Sequence, residues 1–442
     1  MPINHTPFPA LAFEATDQYE QNFQVFVLRQ TLDFSSGELD YADEQAPLSD
    51  QDRYFEENLA CSVRQESDYC AFKPKCDVIV NGVAYAPGGK PSKHFLVCLK
   101  VSRDDRRLIE KVLLVTGERH FKKKNKITRF FHRVLKWTTL YSVRLNPWKL
   151  TSATPFTSLP LRAEYAYGGQ CRIYPNDASA RRLSAKYRLS DEQLASHPAA
   201  QVHGAAVPIA HSVYERNSVG RGYAPAWYLK ASRTNSIAAP RIEYFTAPMT
   251  ARQFWKTSTN AEPANVKPAG LNIRSKLHPD RRRLLGKVDE EFVLTNSALP
   301  IDFDFSIWNS APEDQQTDFV TGGDVIELIN LVPPGTTGST SNSQGSSVLR
   351  LVLPKHQCFV RMDRHDGSTV DRPLAIDTVL VEPEDHTLTL VWRAAIPSEE
   401  VVAIGTSEFR MRSFYDRDRA RFGASDQVIG QTGNEFDVAV AR

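Results

Sequence analysis

The chain has 442 residues, 41% of them hydrophobic and 24% charged, with a formal net charge of +2. This is ordinary for a globular protein of two to three domains or one large one, and it excludes wholesale disorder. A net charge this small does not by itself demand a polyanionic partner. No run approaches the roughly 18 apolar residues of a membrane-spanning helix. The start, Met1-Pro2-Ile3-Asn4-His5, lacks the basic and apolar regions of a secretory signal, so a cytoplasmic location is expected. Cys61, Cys70, Cys76, Cys98, Cys171 and Cys358 show no two-residue spacing and are expected as reduced thiols.

In chain order, Phe23 to Phe34 is rich in aromatic and β-branched residues and reads as a strand that ends at Ser35-Ser36-Gly37. Residues 49–58 suit a short helix capped by Ser49 or Asp50. Asp77 to Ala86 holds two short apolar runs around Asn81-Gly82, a hairpin signal. His94 to Val101 and Leu108 to Thr116 follow as strands, which suggests an antiparallel meander. Residues 101–150 hold fourteen Lys/Arg against four Asp/Glu. Lys122, Lys123, Lys124 and Lys126 lead into a helical spacing of apolar residues from Ile127 to Trp137.

From about 170 to 285 periodicity fades and prolines recur. Ser190-Asp191-Glu192-Gln193 has the form of a capping box. Strands return at Asp324 to Leu331, Val348 to Leu353, Ala375 to Glu382 and Thr387 to Arg393, with a Gly/Ser/Thr-rich loop from Pro334 to Ser347. Arg410 to Arg421 alternates charge and reads as an exposed helix or loose tail. The expected organisation is a β-rich region at 1–170, an irregular Pro-rich insertion with short helices at 171–290, a second β-rich region at 291–397 and a polar tail at 398–442. The fold class is mainly β, with antiparallel, sandwich-like sheets.

Motifs for chemistry are sparse. Gly220-Arg221-Gly222 and Gly88-Gly89-Lys90 lack the rest of any nucleotide-binding loop, and His197, His203 and His211 fit no standard ligand spacing. Arg64, Glu66 and Asp68 would project from one face of a strand. Either the carboxylates do acid–base work, or the block, with Lys73, is a structural polar ladder that fixes loops. Asp302, Asp304 and Asp314 lack the spacing of a calcium loop, and the stretch from Ile301 to Phe305 is more simply an anchored edge strand. The basic 119–136 segment suits an acidic protein surface or nucleic acid. Tyr223, Trp227, Tyr228, Phe254 and Trp255 are candidate aromatic anchors for a partner, against ordinary core packing as the alternative.

An ordered series of short blocks carries a resemblance. It includes Phe23 to Phe34, Ser62 to Gly89 (S-V-R-Q-E-S-D, F-K-P, D-V-I-V-N-G-V-A-Y-A-P-G-G), Gly117 to Phe121 and Leu159 to Gly169. It continues with Asn217 to Gly222, Pro268-Ala269-Gly270, Asp302 to Gln316, Gly322-Gly323-Asp324, Asn330 to Pro333 and Leu390 to Ala394. Over about residues 7–397 the chain resembles a bacterial family defined only as domain of unknown function 2169. The 122–149 segment and the tail after Pro397 stand outside the match. The resemblance implies an adaptor or chaperone, encoded beside spike and tip proteins of the type VI secretion system, that loads an effector onto its tip or spike protein. It implies no enzyme activity, cofactor or metal. Two alternatives from other classes are a hydrolase using Glu66 and Asp68, and a nucleic-acid-binding module using 119–136, although nucleic acid is the less expected partner.

Overall fold

The computed structural model describes residues 2–125, 146–259, 266–289, 292, 298–364, 366–400 and 404–413. The fold is mainly β, built from several sheets with a few short helices. The largest sheet has the order Ala10–Thr16, Asn22–Asp33, Thr387–Pro397, Ala375–Glu382, Cys76–Val80 and Gln316–Thr317, with Asp40–Tyr41 added beside Asn22–Asp33. A six-stranded sheet runs Ile242–Tyr244, Arg106–Thr116, His94–Arg103, Val325–Ile329, Ser347–Val352, Thr340–Ser341. A four-stranded sheet joins Ile3–Asn4, Glu408–Ser413, His356–Asp363 and Thr369–Pro373. Side chains of all three sheets, among them Phe26, Leu28, Leu99, Leu328, Val360 and Trp392, meet in one hydrophobic core.

The strand Asn22–Asp33 shows why. It is buried on both faces, so its apolar run is nearly continuous rather than alternating. Phe26, Leu28 and Leu32 enter the main core, while Val25 and Val27 point to the other face and pack with Val391. Each such side chain contributes about 1.5–3 kcal/mol on burial. Its register with Thr387–Pro397 runs unbroken from Asp33 opposite Thr387 to Phe23 opposite Pro397. The two β-rich ends of the chain therefore share one sheet. Most ladders are antiparallel, but Cys76–Val80 lies parallel to Ala375–Glu382.

Several sequence expectations change here. The N-terminal strands are not a meander: of those expected, only His94–Arg103 and Arg106–Thr116 pair as a hairpin. Asn81-Gly82 does not close a hairpin either. Cys76–Val80 pairs with Ala375–Glu382 and Gln316–Thr317, Val83–Tyr85 pairs with Ser158–Pro160, and the Asn81 side-chain amide donates to the Arg64 carbonyl instead. Residues 49–58 make only a short strand, Arg53–Tyr54, and one 3-10 turn, Phe55–Glu57. Phe305–Trp308 is a 3-10 turn capped by the Asp304 side chain, not an edge strand. Glu408–Ser413 is a strand paired with His356–Asp363, where a helix or tail was expected. The apolar spacing at 127–137 and the chain beyond 413 lie outside the described residues. In the Gly/Ser/Thr-rich loop, Gly338 lies against Gly37, both at positive φ. A Cβ on either would come within 2.4–2.6 Å of the other's backbone, so neither tolerates a side chain.

Between residues 163 and 259 the chain is loops, short ladders and helices around a second, aromatic-rich core of Phe121, Trp148, Tyr167, Tyr214 and Phe254. Asp191–Ala195 carries the expected capping box between Ser190 and Gln193. No helix among the described residues is long and apolar enough to cross a membrane.

Candidate functional site

The Ser62–Cys76 stretch lies across the large sheet, and its charged side chains go to separate partners. Val63–Gln65 is a strand, but Glu66 and Asp68 lie beyond its end. Arg64 donates to Glu382 at 2.7 Å and to Asp385 at 2.7 Å. Glu66 accepts both ends of the Arg281 guanidinium, at 2.6 and 3.0 Å. Arg281 is 1% exposed and also caps the carbonyls of Ile307 and Arg274. Asp68 accepts from Arg29 at 3.0 Å and from the Ser49 amide at 2.7 Å.

A second row lies deeper. Lys73 donates to Asp77 at 3.1 Å and to Thr378 at 2.8 Å, and Asp77 also accepts from the Ser310 amide and the Asn309 side chain. Arg393 donates to Asp377 at 2.6 Å and to the carbonyls of Cys70 and Asp68. Burial pulls the Lys73 and Arg393 pKa values down, but Asp77 then Asp377 beside Lys73, and Asp377 beside Arg393, outweigh it and hold both cations above their ordinary values. Burial likewise pushes the Cys70 thiol up, so it stays protonated and unreactive.

Every one of the four block residues thus has its own counter-charge, and the arrangement ties the loops at 49–75 and 273–315 to the sheet. Beside it is a cleft with about 30 Å³ of space lined by Arg29, Gln65, Asp68, Lys73 and Arg393. Arg29 Nε and Gln65 Nε2 are buried there without a protein partner. The space fits a bridging water, not a substrate.

The aromatic candidates divide. Phe254 is fully buried, stacked on Phe121 with centroids 4.2 Å apart and edge-on to Trp148 at 5.2 Å. Its ring serves the second core and is out of a partner's reach. Trp255, Tyr223, Trp227 and Tyr228 are half-buried around the same core. Tyr223 Oη bonds Ser212 Oγ at 2.6 Å. Trp227 stacks on Tyr187, which is 39% exposed, with centroids 6.0 Å apart, and meets Tyr228 edge-on. The helix Ala226–Ser232 brings Trp227 and Tyr228 out of an otherwise irregular stretch.

Lys122 and Lys123 lie on the strand His120–Lys123, which pairs with Trp148–Leu150 on one side and Ser236–Ala238 on the other. Lys123 Nζ sits 5.3 Å from the Trp148 ring, and Lys124 follows the strand. Lys126 lies outside the described residues.

Two pairings escaped the sequence reading, although it named His197 and His211. His197 and His211 meet, Nε2 to Nδ1, at 3.2 Å. The Ala199 amide donates to His197 Nδ1, and His211 Nε2 faces Gln170 Oε1 at 3.2 Å. One neutral tautomer of each ring satisfies this chain and leaves neither a lone pair for a metal. Burial, then Arg172 and His197, push the His211 pKa down. The pair borders a cavity of about 360 Å³ with Arg172 and Tyr174. The second missed feature is Lys149, directly opposite Lys122. Among the described residues no group of three or more His, Cys, Asp or Glu is placed to hold a metal.

No curated protein and no solved structure matches the chain. One family model does, over residues 20–393, from just before the strand of Arg29 to Arg393 itself. The polar network thus lies within the matched region, and the chain belongs to that family, described as an uncharacterized protein conserved in bacteria (DUF2169).

Proposed function

We propose that the protein is a cytoplasmic adaptor or chaperone that binds a type VI secretion effector together with its tip or spike protein and readies it for export. The observation that carries the reading is the aromatic group of exposed Tyr187 with half-buried Trp227 and Tyr228, displayed by an irregular segment on a sheet scaffold. Large aromatic side chains on loops held by a rigid scaffold suit the centre of a protein contact. The charged block supports the same reading, because Glu66 and Asp68 are each held by their own arginine. A carboxylate pair working as acid and base needs at least one member free to exchange a proton with substrate.

Co-expression with a neighbouring effector or its tip protein tests the proposal. The client's soluble yield should rise, and the two chains should elute together. Trp227→Ala should weaken that complex while the adaptor stays folded. If the neighbouring clients are soluble, exported and unbound without this chain, the adaptor reading fails.

A further inference from the structure

The strand Trp148–Leu150 places Lys149 directly across the ladder from Lys122. Both are exposed, so both ammonium groups stand on the outer face of the small sheet, while Phe121 and Trp148 turn inward. The third position in that row is Ser236, which carries no charge. Like charges directly opposite one another destabilise a sheet. Lys122, Lys124 and Lys149 take part in no ion pair among the described residues.

The sequence closes off local compensation. Between Glu118 and Glu164 there is no Asp or Glu, while the same stretch holds eleven Lys/Arg. Whatever path the chain takes between Asn125 and Asn146, it brings no carboxylate to this face. The counter-charge has to come from elsewhere. Outside residues 119–163 the chain carries 43 Lys/Arg against 52 Asp/Glu, a net −9, so Lys122 and Lys149 belong to a positive island in the sequence of an otherwise negative chain. An extended polyanion such as duplex DNA would be drawn to the island and repelled beyond it. A short acidic segment of a protein meets only the island. Directly opposed strand residues have Cβ atoms about 4.5–5.5 Å apart, and acidic residues at i and i+4 of a helix have Cβ atoms roughly 5–6 Å apart, so the two rows match.

We propose that the outer face of this sheet, with Lys122 and Lys149 as its paired anchors and Lys124 beside them, docks an acidic segment of a protein partner. The proposal rests on the adaptor reading for what the partner is, and on charge alone for how it is recognised.

The probe is a short fluorescein-labelled oligo-glutamate peptide, followed by anisotropy against the full chain. The wild type should bind it, and binding should weaken as salt rises, because screening acts over about 8–10 Å near physiological ionic strength. Lys122→Ser with Lys149→Ser should weaken binding about tenfold and flatten the salt dependence. The melting temperature should hold or rise, since the substitutions relieve a repulsion. Equal binding by the double variant, a fall in its melting temperature, or tighter binding of duplex DNA than of the peptide by the wild type would each overturn the proposal. The peptide assay needs no secretion client. A chain that binds oligo-glutamate but captures no client sinks the adaptor reading alone. One that captures its client equally well after both substitutions sinks this docking surface alone.

Discussion

Beneath the large sheet, Arg29, Lys73, Arg281 and Arg393 are buried against Asp68, Asp77, Glu66 and Asp377. Around Phe254, by contrast, the chain is held by stacked rings carried on short strands and helices. The charged network is strongly directional. Each guanidinium fixes a loop at one place and one angle, but a lost partner leaves a stranded charge. The aromatic core is forgiving of angle and depends on filled volume. The first arrangement suits a scaffold that must not shift, and the second suits a segment whose loops meet other molecules.

Arg393→Ala probes the first region most severely. It leaves Asp377 buried without its salt-bridge partner and takes the donor from the Cys70 and Asp68 carbonyls. Removing one member of such a pair costs about 3–5 kcal/mol, and urea denaturation should show the loss in the main transition. A variant within experimental error of the wild type would mean that water enters and solvates Asp377, and the network would then be no scaffold.

Phe254→Ala is the matching probe of the aromatic region. The expected cost is about 3 kcal/mol, the low end for such a truncation, because Phe121 and Trp148 can lean into the gap. Hydrogen exchange should accelerate in residues 148–150 and 251–259 before it does in the sheet strands. Equal acceleration in Asn22–Asp33 would show that the two cores unfold as one unit and would erase the contrast.

Acid titration separates the regions by a third route. His356 is 2% exposed, with Nε2 against Gln30 Oε1 at 3.0 Å and Nδ1 facing the Tyr41 hydroxyl at 3.4 Å. Trp392 Nε1 also donates to Gln30 Oε1, which assigns the imidazole proton to Nε2. Burial lowers its pKa from 6.5 to about 4. The unfolded chain therefore binds more protons between those values, and stability is lost as pH falls through that window. At about 1.4 kcal/mol per unit the loss is on the order of 2–3 kcal/mol. His278 is also lowered to about 4, first by burial and then by Arg274, and titrates in the same range. The difference between wild type and His356→Gln isolates one group. If both lose the same stability from pH 6.5 to 4, His356 has no share in it.

What could be read in advance follows the range of the interaction. Phe23 to Phe34, Ala375 to Glu382 and Thr387 to Arg393 were legible as strands because apolar, β-branched composition is local. Their pairing was not, since Asn22–Asp33 finds its neighbour at the far end of the chain, in Thr387–Pro397. Asn81-Gly82 misled for the same reason: both flanking strands pair elsewhere, and tertiary partners overrode the local turn signal. Glu408–Ser413 was missed because its charged residues lie on a strand whose role is set by His356–Asp363. In the candidate site, Arg64, Glu66, Asp68 and Lys73 stood out as a charged block, but their partners Glu382, Asp385, Arg281, Arg29 and Asp77 were invisible as such, and so was the pairing of Arg393 with Asp377 beside them. Lys149 could have been noticed from the acid-free stretch around it, although only the register places it opposite Lys122.

The smallest effect belongs to an element that was fully legible. Ser190 Oγ accepts from the Gln193 amide at 3.2 Å, and the Gln193 side chain accepts from the Ser190 amide at 2.9 Å. The helix they start, Asp191–Ala195, buries no residue, so the cap holds it with little help from packing. Ser190→Ala removes one acceptor and costs about 0.5–1 kcal/mol. In the scaffold that loss would be spread over a cooperative unit and read as a shift of the whole transition. Here it should stay local: hydrogen exchange at Gln193 and Leu194 should rise severalfold, while the global midpoint moves by less than the measurement resolves. A shift of the global midpoint by the full cap energy would show that this helix unfolds with the sheets. The irregular segment would then share the scaffold's cooperativity, and its loops could not rearrange around a partner independently of the core.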